Sequence, residues 1–190
     1  NEFNPWACIK MKNGDLVFGG INGFNIFRAD EINDNKYVPE IIITDFKIFN
    51  KEVIPGVAGS PLSKSVSVSD ELNLTYKESV FSFEFSSLDF NIPGKNMYAY
   101  RMKGFDSGWI NSGNRRFATY TNLDAGEYEF NVIGSNNDGI WNTTGKSIKI
   151  NITPPFWKTK WFKSLSALSL IAASGSVYQN KINRLRKDRK

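Results

Sequence analysis

Histidine is missing from all 190 residues of this chain, which removes the commonest general acid–base catalyst and the commonest neutral metal ligand. Cysteine occurs once, as Cys8, so no disulfide can close within the chain. That residue reads as a small buried apolar side chain rather than a reactive thiol. Net charge is also lacking over most of the sequence. The formal +5 equals the surplus of Lys181, Arg184, Arg186, Lys187, Arg189 and Lys190 over Asp188, so everything before that tail is neutral. A neutral body has no basic surplus for a phosphate backbone, and nucleic acid is not expected as a partner. The chain reads as beginning inside a domain, so the lack of a leader before Asn1 carries no weight.

What is present points to β structure. Aromatics make up 14% of the residues and are accompanied by many Ser, Thr, Asn and Gly, a composition that suits short strands and frequent turns. The length allows one complete domain and part of another. Residues 1–38 hold three short strands, with Asn13-Gly14 read as a two-residue hairpin turn, followed by a polar linker from Arg28 to Pro39. Such a meander is about one propeller blade lacking a strand, and it does not close a core unaided. From residue 39 the alternation becomes clean. Phe81, Phe83 and Phe85 share one strand face, as do Tyr98, Tyr100 and Met102, then Tyr128, Phe130 and Val132, then Ile148, Ile150 and Ile152. Strands at this spacing predict an all-β, fibronectin-III or immunoglobulin-like sandwich of roughly seven strands over 39–155. "LDAGEY" places Leu123, Gly126 and Tyr128 as in a tyrosine corner, with the hydroxyl bonded to upstream backbone. The stretch from Gly56 to Asp70 reads as loop.

The last strand stops at Pro154-Pro155, which cannot continue a ladder. Phe156, Trp157, Trp161 and Phe162 then form an aromatic cluster among lysines, the pattern of a membrane interface. Residues 161–178 follow as a C-terminal helix of about 27 Å, short against the roughly 30 Å of a hydrocarbon core. Because the basic residues follow the apolar stretch and are not interleaved with it, a span across the inner membrane is expected, with the basic tail 179–190 cytoplasmic; the alternative is a helix that packs on the body or lies in the interface.

Motifs for chemistry are weak. Asn136, Asp138 and Gly139 have calcium-loop spacing, but Gly145 stands where a bidentate Glu would close the site, so a hairpin turn is expected and no metal. Asp30-Glu31 and Asp70-Glu71 are adjacent acids on loops, and no catalytic pair or cofactor site is expected. Trp109 and Trp141 either anchor apolar layers or stack on a sugar face, the second being the basis of an alternative reading as a carbohydrate-binding accessory sandwich of a secreted enzyme.

Several stretches together resemble a known family. "NGDLVFGGINGFNIF" is similar to a last propeller repeat, "PEIIITDFKIFN" to the entry of a sandwich, and "PPFWKTKWF" to a membrane-entry signature. The segment from Tyr98 to Asn142 resembles the three-tyrosine (Y_Y_Y) domain that follows the periplasmic β-propellers of bacterial hybrid two-component sensors. Tyr100, Tyr120 and Tyr128 stand at its tyrosine positions and Trp109 and Trp141 at its tryptophan positions. The resemblance implies a non-enzymatic relay and dimerisation module in a periplasmic part of an inner-membrane sensor histidine kinase. It implies a homodimer through sandwich and helix, and a glycan ligand reached only through propeller blades this chain does not hold.

Overall fold

The computed structural model describes residues 3–187. Strands β1 (Phe3–Lys10), β2 (Leu16–Gly20) and β3 (Gly23–Phe27) form a small antiparallel sheet in that spatial order. Among the described residues no layer covers it: Trp6, Ile21 and Phe24 stand exposed. For the same reason Cys8, on the edge strand β1, is exposed rather than buried as expected. The β1–β2 connection also differs from expectation. Lys10 pairs with Leu16 across a five-residue loop, closed by the Met11 amide donating to the Asp15 carbonyl at 2.8 Å, and only Gly14 takes a positive φ.

After a linker come β4 (Ile41–Ile48), β5 (Lys51–Glu52), β6 (Glu71–Thr75), β7 (Val80–Ser87), β8 (Tyr98–Lys103), β9 (Ile110–Gly113), β10 (Phe117–Thr121), β11 (Gly126–Ser135) and β12 (Trp141–Thr153). They build a four-stranded sheet, β10-β7-β4-β5, and a five-stranded sheet, β6-β12-β11-β8-β9. That is two strands more than the sequence suggested, because β5 and β9 are short edge pieces. The two inner faces carry the alternating apolar sets, and Phe83 of one sheet stacks on Phe130 of the other at 4.5 Å. Each buried ring or branched chain contributes roughly 1.5–3 kcal/mol. The loop after β5 is part of this core: Leu62 and Val66 are buried within it.

The outer face of the five-stranded sheet is polar. Glu71, Lys149, Glu129 and Lys103 follow one another across β6, β12, β11 and β8 in paired register, alternating in sign. Lys103 reaches Glu129 at 2.7 Å and holds that carboxyl below the usual carboxylate range. Most pairings are antiparallel, but β6 runs parallel to β12, and the Tyr76 amide continues the ladder to the Thr153 carbonyl at 3.1 Å.

Beyond β12 a short 3-10 turn (Phe156–Lys158) leads into α1 (Lys160–Lys187), about 42 Å long at 1.5 Å per residue. The expected membrane crossing is corrected here. Among the described residues no helix is long and apolar enough to cross a membrane. The physical reason is dilution by serine: the hydroxyls of Ser164, Ser169 and Ser174 turn back to their own helix carbonyls. The end of the basic tail, residues 188–190, lies outside the described residues.

Candidate functional site

Three structural joints decide what this body can do. The first is the tyrosine layer. Tyr120 lies on β10 and Tyr100 on β8, so the two belong to opposite sheets; their rings meet edge to face at 6.3 Å. The Tyr120 hydroxyl donates to Asp106 Oδ2 at 2.7 Å, and the same oxygen accepts the Met102 amide at 2.6 Å. Asp106 follows β8, so this polar tie also bridges the sheets. Burial pushes the Tyr120 phenol far above the ordinary tyrosine value, and its bond to Asp106 pushes the same way. Burial raises Tyr100 and Tyr128 as well. Tyr128 donates its hydroxyl to the Asp124 carbonyl at 3.0 Å, the geometry of a tyrosine corner.

The structure separates the two tryptophans. Trp109 precedes β9 and Trp141 opens β12, with β8 and β11 between. Trp109 is 45% exposed and the Arg101 guanidinium lies 5.0 Å from its ring centroid, while Trp141 is half-buried. No shared stacking platform results.

The second joint was not foreseen. The linker is strapped to the sandwich from Asn35 to Pro39. Asn136, fully buried, donates through Nδ2 to the carbonyls of Asn35 and Tyr37, and accepts through Oδ1 from the amides of Asp138 and Ile140. Asp138 Oδ2 accepts the Asn35 amide at 2.7 Å. Asn35 Nδ2 donates to Asp89 and Asn137, and Asn142 Nδ2 donates to the Pro39 carbonyl at 2.8 Å. The "SNNDG" turn is thus a hairpin, as expected, and also a clamp on residues a hundred positions earlier. The missed signal was chemical: two short amides and an acid in one turn have more hydrogen-bonding capacity than the turn consumes.

The third joint is the exit. Pro155 is buried, and Tyr76, Trp157, Phe156, Phe162 and Trp161 form a chain of ring contacts at 5.3, 4.9, 5.3 and 5.9 Å from the end of β6 to the first turn of α1. Tyr76, Leu123, Pro155 and Trp157 also line a shallow groove of about 320 Å³. Phe156, Trp157 and Trp161 keep outward surface. Lys160 and Lys163 stand at the positive end of the helix dipole with no acid in the first turn, an arrangement α1 does not favour by itself.

Residues 89–153 match the Y_Y_Y domain. Those residues form a Y_Y_Y domain within the chain. The match covers β8 to β12 and all five aromatic positions named above, but not β4 to β7, which complete its core. Over 170 residues, 90% of this chain, the sequence is 35% identical to "Histidine kinase P4" of Formosa agariphila, of which it spans 12%. Two solved chains from B. thetaiotaomicron, both extracellular domains assigned to hybrid two-component systems, are similar in fold. One is 27% identical with a TM-score of 0.59, and the other is 25% identical with a TM-score of 0.55; this chain is covered to 80% in both cases, and each of them to 20%.

Proposed function

We propose that this Y_Y_Y chain is a signal-relay module of a two-component sensor histidine kinase, working outside the cytoplasm and passing displacement from a sensing part to α1. One observation carries the reading. Strand β12 starts beside the linker clamp, where Asn142 holds Pro39, and ends at Pro154-Pro155, where α1 is prepared. Allowing for the bulge at residues 143–145, its 13 residues extend roughly 35 Å at about 3.3 Å each. Input and output of the sandwich therefore sit at the two ends of one backbone, paired with β11 along most of its length and with β6 over Lys149–Thr153.

At the output end, the exposed rings of Phe156, Trp157 and Trp161 with Lys158, Lys160 and Lys163 suit a headgroup layer, where aromatic rings and snorkelling lysines settle together. Phe162 joins this cluster through Phe156 and Trp161. Two such chains side by side, through sandwich and helix, would turn a relative shift of two bodies into a shift of two helices. A glycan stimulus, read by parts of the protein beyond this chain, fits the same scheme.

The test is replacement of Pro154 and Pro155 by glycine in the intact receptor, which frees two fixed φ angles at the junction. Ligand-dependent phosphorylation drops severalfold while the melting temperature of the sandwich stays within a few degrees. An undiminished response would reject the relay.

A further inference from the structure

The clamp on the linker holds an unusually complete amide. Asn136 has two side-chain donors and two acceptor positions, and all are used: both donors on the carbonyls of Asn35 and Tyr37, both acceptor positions on the amides of Asp138 and Ile140. Its own amide bonds the Ile140 carbonyl at 3.1 Å. The acceptors thus serve the hairpin and the donors serve the linker. Around this amide stand Asp89, buried and accepting from Asn35 and Asn137, and Asp138 on the Asn35 amide.

We propose that Asn136 is a positioning residue whose side-chain amide locks residues 35–39 onto the sandwich, so that motion of the β1–β3 sheet enters at the head of β12. The lock itself stands on geometry; only its use in signalling rests on the relay reading. A linker running from Arg28 to Pro39 is shortened by the lock to residues 28–34, whose contacts among the described residues are local: Arg28 to Asp30 at 2.9 Å and to Glu31 at 3.7 Å, and Asn33 to the Glu31 carbonyl at 3.1 Å. Were 35–39 free, a displacement would be lost in a loop able to rearrange at little cost. With them clamped, the play between the two bodies is confined to those few residues.

Asn136→Asp separates the two duties of the amide. A carboxylate keeps the acceptors that shape the hairpin and loses both donors, and it faces two carbonyls in a buried place. The linker offers its own reporter, because Lys36 lies inside the clamped segment and Arg28 outside it, both exposed. Trypsin at pH 8 under native conditions cuts after each, and fragment masses distinguish them; cutting at Lys36 follows the population of the open clamp.

In Asn136→Asp, cutting at Lys36 rises at least tenfold relative to cutting at Arg28, which corresponds to about 1.4 kcal/mol of clamp opening. The sandwich melts as before. Asn35→Ala, an exchange in the linker that removes the donor to Asp89 and Asn137 and keeps Asn136, raises the same ratio by a smaller factor. Unchanged ratios in both variants, or equal acceleration at both sites together with a lowered melting temperature, overturn the assignment. In the intact receptor, a raised Lys36 ratio with an undiminished response would remove the relay and leave the lock standing.

Discussion

Replacing Gly145 by alanine tests the path of β12 directly. The β11–β12 register jumps so that residues 143–145 of β12 stand opposite Ile133 alone, and Gly145 turns that bulge at φ +59°. A Cβ there would meet the Val132 carbonyl oxygen at 2.1 Å and the Ile133 side chain at 2.8 Å. Left-handed backbone costs an L-residue roughly 1–2 kcal/mol. Forcing the neighbouring strand aside adds about 1–3 kcal/mol. Reduced freedom of the unfolded chain returns about 0.4–1 kcal/mol. The net loss is about 1–4.5 kcal/mol, or a fall in melting temperature of roughly 3–15 °C for a domain of this size. Gly139 is the matched comparison: its φ is +82°, but nothing lies within 4 Å of its would-be Cβ. Gly139→Ala therefore carries only the backbone cost, about 1 kcal/mol or less after the same offset. Thermal melts followed by tryptophan fluorescence compare the two. Equal falls would refute the argument from close approach.

Tyr120 makes stability depend on alkaline pH. Its folded value lies above the unfolded value near 10, so its stabilisation is complete below about pH 10 and is lost as pH rises beyond it, by up to roughly 1.4 kcal/mol per pH unit. Urea midpoints from pH 8 to 11 should fall less steeply for Tyr120→Phe, which starts lower because Asp106 loses one of its donors and keeps the Met102 amide; parallel curves would contradict this. At the β4–β5 turn, Phe49 and Asn50 both take positive φ, 50° and 60°, and the Phe49 side chain is exposed. Changing the pair to Asn-Gly relieves about 1–2 kcal/mol and raises the melting temperature by a few degrees in calorimetry.

That turn shows where sequence patterns mislead. "NG" at Asn13-Gly14 marked a hairpin whose true loop is longer, while "FN" made the two-residue turn without any signal in its composition. Local chemistry sets preference, and pairing of the flanking strands sets the outcome. The inward sets of Phe81, Phe83 and Phe85, and of Ile148, Ile150 and Ile152, were legible because a two-residue period admits one arrangement once a face is buried. The tyrosine positions were legible through family resemblance; their tie to Asp106 across two sheets was not, since nothing local couples residue 106 to residue 120. The linker clamp was invisible for the same reason, being made from side chains about a hundred positions apart. For residues 161–178 the flanking aromatics and charges suggest a crossing that the helix is not apolar enough to make, because the same flanks fit an interface as well as a span.

The parallel partnership of β6 with β12 has a mechanical side. Tyr76 and Thr153 arrive at the same end of the sheet, with β11 on the other flank of β12. A tug on the helix along β12 loads its flanking hydrogen bonds all at once, in shear, and does not peel them one after another. Such an arrangement yields little before it transmits, like a pulled rod rather than an opened zip.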